Sequence, residues 1–150
     1  MKKNLLFILM LHFSPVFSNW QEINTPTSQD LYTIEIIDNN AFCGGKNGIL
    51  LKSIDQGETW TQINTIASGN ITSIHFINSN IGFFTTSEGE IFQTLNKGLD
   101  WTEKFTHILG INGIDFRNTS IGIAVGDNGN IFKTLDGGDN WINLGSQSIY

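Results

Sequence analysis

Arginine is almost missing from this chain. Arg117 is the one guanidinium in 150 residues, and eight Lys plus Arg stand against 14 Asp plus Glu, a formal charge of −6. That balance excludes the basic footprint of a nucleic-acid binder and the polybasic patch of a membrane-surface protein. Charged residues make up only 15% of the chain, so its surface is polar rather than ionic. Cysteine is reduced to Cys43, which has no intrachain disulfide partner and, with three scattered histidines, makes no zinc constellation. Two prolines against 16 glycines favour many turns between short elements over long helices. Core material is plentiful: 39% of residues are hydrophobic and 11% aromatic, which excludes disorder for most of a chain one domain long.

Long apolar runs are also scarce. The longest, Leu5 to Leu11, follows Lys2 and Lys3 and precedes Ser14-Pro15-Val16-Phe17-Ser18. It is about half the roughly 20 residues of a membrane span. A basic start, a short apolar stretch and small residues before a cut near Ser18 read as a secretory signal peptide over 1–18. The expectation is an exported chain, periplasmic or secreted, starting at Asn19 and crossing no membrane. Cys43 then reads as a small buried hydrophobe.

A repeat organises the remainder. Trp20, Trp60, Trp101 and Trp141 are all the tryptophans, spaced 40, 41 and 40 residues apart. Three positions before the last three stand Gly57, Gly98 and Gly138; five before stand Asp55, Asn96 and Asp136; seven before stand Ser53, Thr94 and Thr134. Each unit reads as four short strands. The first strands, Leu31 to Ile37, Ile71 to Ile77 and Ile111 to Phe116, alternate as half-buried strands do. The second, Ala41 to Gly44, Ile81 to Thr86 and Ile121 to Gly126, are small or apolar enough to be buried on both faces. Turns at Lys46-Asn47-Gly48, Ser87-Glu88-Gly89 and Asp127-Asn128-Gly129 supply positive φ before a third strand, and the fourth begins at each Trp. A period near 40 with four antiparallel strands predicts an all-β chain of propeller blades. Blade 1 is expected over 31–64, blade 2 over 70–105 and blade 3 over 111–145. Residues 19–30, with Trp20-Gln21-Glu22-Ile23-Asn24, read as the fourth strand of a preceding blade, and the propeller domain as 19–150.

The segment from Ser53 to Trp60, with Asp55, Gly57 and Thr59, fits S-x-D-x-G-x-T-W and so resembles the Asp-box, or BNR repeat. Thr134, Asp136, Gly138 and Trp141 keep most of it; Thr94, Asn96, Gly98 and Trp101 keep it with Asn for Asp. With Val125-Gly126-Asp127-Asn128-Gly129-Asn130-Ile131, the pattern resembles the photosystem II stability and assembly factor type of secreted or lumenal propeller. The resemblance covers nearly all of the chain after Ser18. It implies boxes that act as folding devices: the Asp or Asn oxygen accepts N–H groups of its own turn, Gly supplies the special φ, and Trp packs flat between blades. Asp127, Asp136 and Asp139 do not follow a calcium-loop pattern, and Gly126–Gly129 lacks the Lys and helix of a phosphate loop. Neither a metal nor a cofactor is implied. Asn70 and Asn118 begin N-x-S/T sequons.

The resemblance also raises a carbohydrate-binding or sialidase-like glycosidase reading. A sialidase holds its substrate carboxylate with three arginines and attacks with a Tyr; here there is Arg117 alone, with Tyr32 and Tyr150. Glu35 and Asp115 occupy equivalent first-strand positions and read as exposed strand-face charges; His75 takes the same place in the second unit and reads as exposed or channel-facing rather than as a catalytic base. The sequence therefore points to a non-enzymatic module that binds a protein partner or scaffolds assembly. Three blades and a stray strand fall short of the four to eight of closed propellers. A homodimer completing the ring, a fragment of a longer propeller, or an arc closed by another protein each answers that shortfall.

Overall fold

The computed structural model describes residues 22–145. Its strands form three antiparallel four-stranded sheets, each in sequential order. Blade 1 comprises β1 (Leu31–Ile37), β2 (Asn40–Gly45), β3 (Leu50–Ser53) and β4 (Thr61–Ile63). Blade 2 comprises β5 (Ile71–Phe76), β6 (Gly82–Thr86), β7 (Glu90–Thr94) and β8 (Thr102–Thr106). Blade 3 comprises β9 (Ile111–Phe116), β10 (Gly122–Gly126), β11 (Ile131–Thr134) and β12 (Ile142–Asn143). The chain is thus all-β, a partial propeller whose blades meet along their first strands, β1 against β5 and β5 against β9. No helix among the described residues is long and apolar enough to cross a membrane. The signal-peptide segment and Trp20 lie outside the described residues, and 22–30, expected to belong to a fourth strand, carry no strand.

Two cores lie between blades, and they are copies of one another. Phe42 of blade 1 stacks on Phe76 of blade 2 with centroids 4.4 Å apart, and Phe83 of blade 2 stacks on Phe116 of blade 3 at 4.2 Å. In each pair the second ring lies against a glycine of its own blade: a Cβ on Gly82 or Gly122 would sit 2.6 Å from Phe76 or Phe116. Phe42, Phe83, Phe84, Phe92 and Phe132 are at most 1% exposed, and full burial of each contributes roughly 1.5–3 kcal/mol.

Burial departs from expectation at the two ends of the arc. β2 and β6 are buried almost throughout, but β10 alternates, with Ile123 and Val125 each 45% exposed. In β1 the alternation is inverted: Ile34 and Ile36 are exposed and Glu35 is half-buried. The cause is the same in both, since these side chains project from the outer sheet faces of blades 1 and 3, away from the inter-blade cores. Each first strand also carries a bulge, skipping Tyr32, Thr72 or Asn112 in its pairing with the second strand. An extra unpaired residue bends a strand and increases its twist. The bulged Thr72 donates its hydroxyl hydrogen to the Ile111 carbonyl of the next blade, at 2.5 Å.

Candidate functional site

The three Asp-boxes connect third to fourth strands. In each, a buried hydroxyl is the hub. Ser53 Oγ accepts the Gly57 N–H at 2.8 Å and donates to Asp55 Oδ1 at 2.7 Å. Thr94 Oγ1 accepts the Gly98 N–H at 3.0 Å and donates to Asn96 Oδ1 at 3.0 Å. Thr134 Oγ1 accepts the Gly138 N–H at 2.9 Å and donates to Asp136 Oδ1 at 2.8 Å. The acid or amide oxygen then closes the turn on residue i+4: Asp55 accepts the N–H and hydroxyl of Thr59, Asp136 accepts the N–H and side-chain amide of Asn140, and Asn96 accepts the Asp100 N–H. Hydrogen bonds to the ionised form hold both carboxyls down at about 2, the side chain of Thr59 or Asn140 contributing most. Two consecutive residues take left-handed backbone: Gln56 and Gly57, Lys97 and Gly98, Gly137 and Gly138. A glycine is the second residue of each pair; Gln56 and Lys97, the non-glycine residues before two of them, gave no sign in the sequence.

Trp101 and Trp141 do not lie flat on the rings of the inter-blade cores. Trp101 meets Phe76, and Trp141 meets Phe116, edge-on at 84° with centroids 5.9 Å apart. The negative face and positive edge of aromatic rings favour that arrangement over a face-to-face sandwich. The indole N–H groups of Trp60 and Trp141 donate to the carbonyls of Gly57 and Gly138, while the buried indole N–H of Trp101 has no partner.

The second and third boxes are also the seats on which the preceding blades rest. A Cβ on Gly98 would lie 2.5 Å from the Phe42 ring, and one on Gly138 2.7 Å from Phe83, so both positions need glycine for the approach as well as for φ. Beside these contacts, Lys52 Nζ donates to the Lys97 carbonyl at 2.6 Å and Gln93 Nε2 to the Gly137 carbonyl at 3.1 Å. Burial chiefly, with the charge of Lys97, lowers the Lys52 pKa, and its ammonium sits 5.5 Å from the Phe42 ring centre. The register places Phe42, Lys52 and Glu35 side by side on one face, as it does Phe83, Gln93 and His75, and Ile123, Lys133 and Asp115.

Along the first strands, Glu35 Oε1 accepts the Phe76 N–H at 3.4 Å, and His75 Nδ1 lies 3.4 Å from Asp115 Oδ1. The expectation of an exposed strand-face charge fits Asp115, whose side chain is 84% exposed, but not Glu35, which is half-buried; His75 is 22% exposed. Sequence reasoning missed Glu90, a buried carboxylate that accepts hydrogen bonds from the Ser68 N–H, the Ser68 hydroxyl and the Thr86 hydroxyl. Its blade-1 and blade-3 counterparts are Ile49 and Asn130, so no repeated acid marked it. A shallow groove beside the second box is lined by Gln93, Leu95, Asn96, Asp100, Thr102 and Lys104. No group of three or more metal-ligating side chains occurs among the described residues.

Residues 17–112 match the family model described as Photosynthesis system II assembly factor YCF48. Over 49 residues, 31% of this chain and 12% of the relative, the sequence is 45% identical to the chloroplastic photosystem II stability/assembly factor HCF136 of Guillardia theta. Among solved structures, YCF48 bound to D1 peptide superposes with a TM-score of 0.75 at 22% identity, covering 85% of this chain and 44% of that one. YCF48 from Cyanidioschyzon merolae gives 0.76 at 19% identity, covering 87% and 44%. A GH74 enzyme of Niastella koreensis gives 0.63 at 19% identity, covering 77% and 22%. The chain therefore spans less than half the length of these relatives, and at such identities the structural likeness speaks for the fold alone.

Proposed function

This chain belongs to the photosynthesis system II assembly factor YCF48 family, and from that premise we propose that it is an exported, non-enzymatic propeller module that grips a partner protein during assembly of a complex. The observation that carries the reading is the family match across blades 1 and 2, beside a YCF48 relative whose structure is bound to D1 peptide. Export rests on Lys2, Lys3 and the apolar run before Ser18. The Asp-boxes serve as structural turns: the side-chain oxygens of Asp55, Asn96 and Asp136 are spent on N–H and hydroxyl groups of their own turns. Contact with a partner falls instead to the first-strand row of Glu35, His75 and Asp115, whose side chains are directed across adjoining strands. A second copy of the chain completes the ring, which is supported by the apolar outer faces of blades 1 and 3.

The test is calorimetric titration of a D1-derived peptide into the full chain. Saturable binding, weakened in Asp115→Asn, is expected; no binding up to about 1 mM peptide, where a Kd corresponds to only about 4 kcal/mol, overturns the peptide-binding reading. Fluorogenic glycosides and xyloglucan provide the counter-test. Turnover abolished by Glu35→Gln or Asp115→Asn would replace the scaffold with a glycosidase.

A further inference from the structure

Both internal interfaces are built from the same complementary parts. The trailing face of one blade offers a large side chain (Phe42, Phe83) and a nitrogen donor (Lys52, Gln93). The leading face of the next offers a ring (Phe76, Phe116), a bare glycine (Gly98, Gly138) and the carbonyl just before it (Lys97, Gly137). Each half of this interface occurs once more, unpaired among the described residues. Blade 3 presents Ile123 and Lys133 at the trailing positions. Blade 1 presents Ile36, Gly57 and the Gln56 carbonyl at the leading ones. Around Gly57, a Cβ would meet only Trp60, at 3.8 Å.

The two leftover halves match in one respect that the internal pairs do not. Where both internal interfaces oppose Phe to Phe, blade 3 has Ile123 and blade 1 has Ile36, 45% and 67% exposed. The aromatic ring is replaced by an aliphatic side chain of matching size on both sides. A nitrogen donor on one half faces an open carbonyl on the other, and both halves belong to one molecule, so the occupant that fits each is the opposite end of another copy. Where the rotation closes, such a head-to-tail contact makes a ring.

We propose that two copies of this chain associate head to tail, Ile123 of one packing on Ile36 and Gly57 of the other while Lys133 donates to the Gln56 carbonyl. This rests on the reading of a ring completed by a second copy and supplies its register. A two-fold ring makes the contact twice, so its loss is felt twice in the dimer constant.

Sedimentation equilibrium of the full chain over a concentration series tests both levels. A dimer is expected. Lys133→Met, which keeps the stem and removes the donor, raises the dissociation constant about tenfold per contact, roughly a hundredfold in all. Ile123→Asp gives monomer at all concentrations, whereas Lys46→Met, remote from either face, leaves the constant unchanged. Benzophenone-alanine at position 123 should cross-link to the segment 53–60 of another copy, a readout independent of variant stability. A monomeric wild type overturns the second-copy reading and the register with it. A dimer indifferent to Lys133→Met and Ile123→Asp, with no cross-link to 53–60, overturns the register alone.

Discussion

Replacing Thr94 by valine keeps the shape of a side chain that is 1% exposed and deletes the hub of the central Asp-box. Valine cannot accept the Gly98 N–H, held at 3.0 Å in a buried setting, or the Asn96 N–H at 3.3 Å, and cannot donate to Asn96 Oδ1. The Gly98 amide has no water to turn to, because the residue and its hydrogen bond are buried. An orphaned buried donor costs about 1–3 kcal/mol, and the lost Asn96 contacts bring the expected total to about 3 kcal/mol. Serine at 94 retains every one of these bonds, as Ser53 does in blade 1, and forgoes one buried methyl, worth about 0.8 kcal/mol. The assay is urea unfolding at one fixed protein concentration. With a slope of about 2 kcal/mol per molar, Thr94→Val should lower the midpoint by about 1.5 M and Thr94→Ser by about 0.4 M, the slope unchanged. If serine costs as much as valine, or valine costs under about 0.5 kcal/mol, the hydroxyl hub does not hold the turn.

Two further outcomes follow from the boxes. Asp55 and Asp136 titrate at about 2 in the folded chain against 3.8 ordinarily, so the stability they contribute is complete above about pH 5 and is lost as pH falls through 4 towards 2. Asp55→Asn combined with Asp136→Asn, which gives both boxes the amide that blade 2 carries at Asn96, should flatten the urea midpoint between pH 5 and 2.5 relative to wild type; parallel curves would dismiss the carboxylates as the source. Gly98→Ala combines φ +70 with a Cβ 2.5 Å from Phe42, whereas Gly57→Ala at φ +94 meets only Trp60 at 3.8 Å. The first should cost at least about 2 kcal/mol more than the second at a concentration where the chain is monomeric, and equal melting temperatures would contradict the seating of Phe42 on the turn.

The blades were legible because their signals recur: a Trp every 40 or 41 residues and, before the last three, a Gly at three positions and a hydroxyl at seven survive divergence at other positions. The bulges leave a fainter trace. Ile71, Ile74 and Phe76 are all buried, and a spacing of three then two breaks strict alternation where Thr72 is extruded. The edge-on tryptophans could not be read, since ring orientation is settled by Phe76 and Phe116 from a strand some 25 residues away. The same holds for the Lys52 and Gln93 ties, which are long side chains with no common chemistry except a donor nitrogen at one register position. Glu90 gave the opposite difficulty. An acid beside a turn glycine reads as exposed, and only the folded connection through Ser68 buries it.

The seating of each blade on the next one's box has a genealogical consequence. Every boundary is made of the trailing half of one unit and the leading half of the unit after it, and each internal unit carries both. Duplicating or deleting a whole unit of 40 or 41 residues therefore regenerates a compatible boundary without any second change. A partial insertion within a unit has no such protection, because it shifts Phe and donor relative to glycine and carbonyl. Lineages built this way change length in whole blades, and the residues at those few positions should outlast similarity in all the rest.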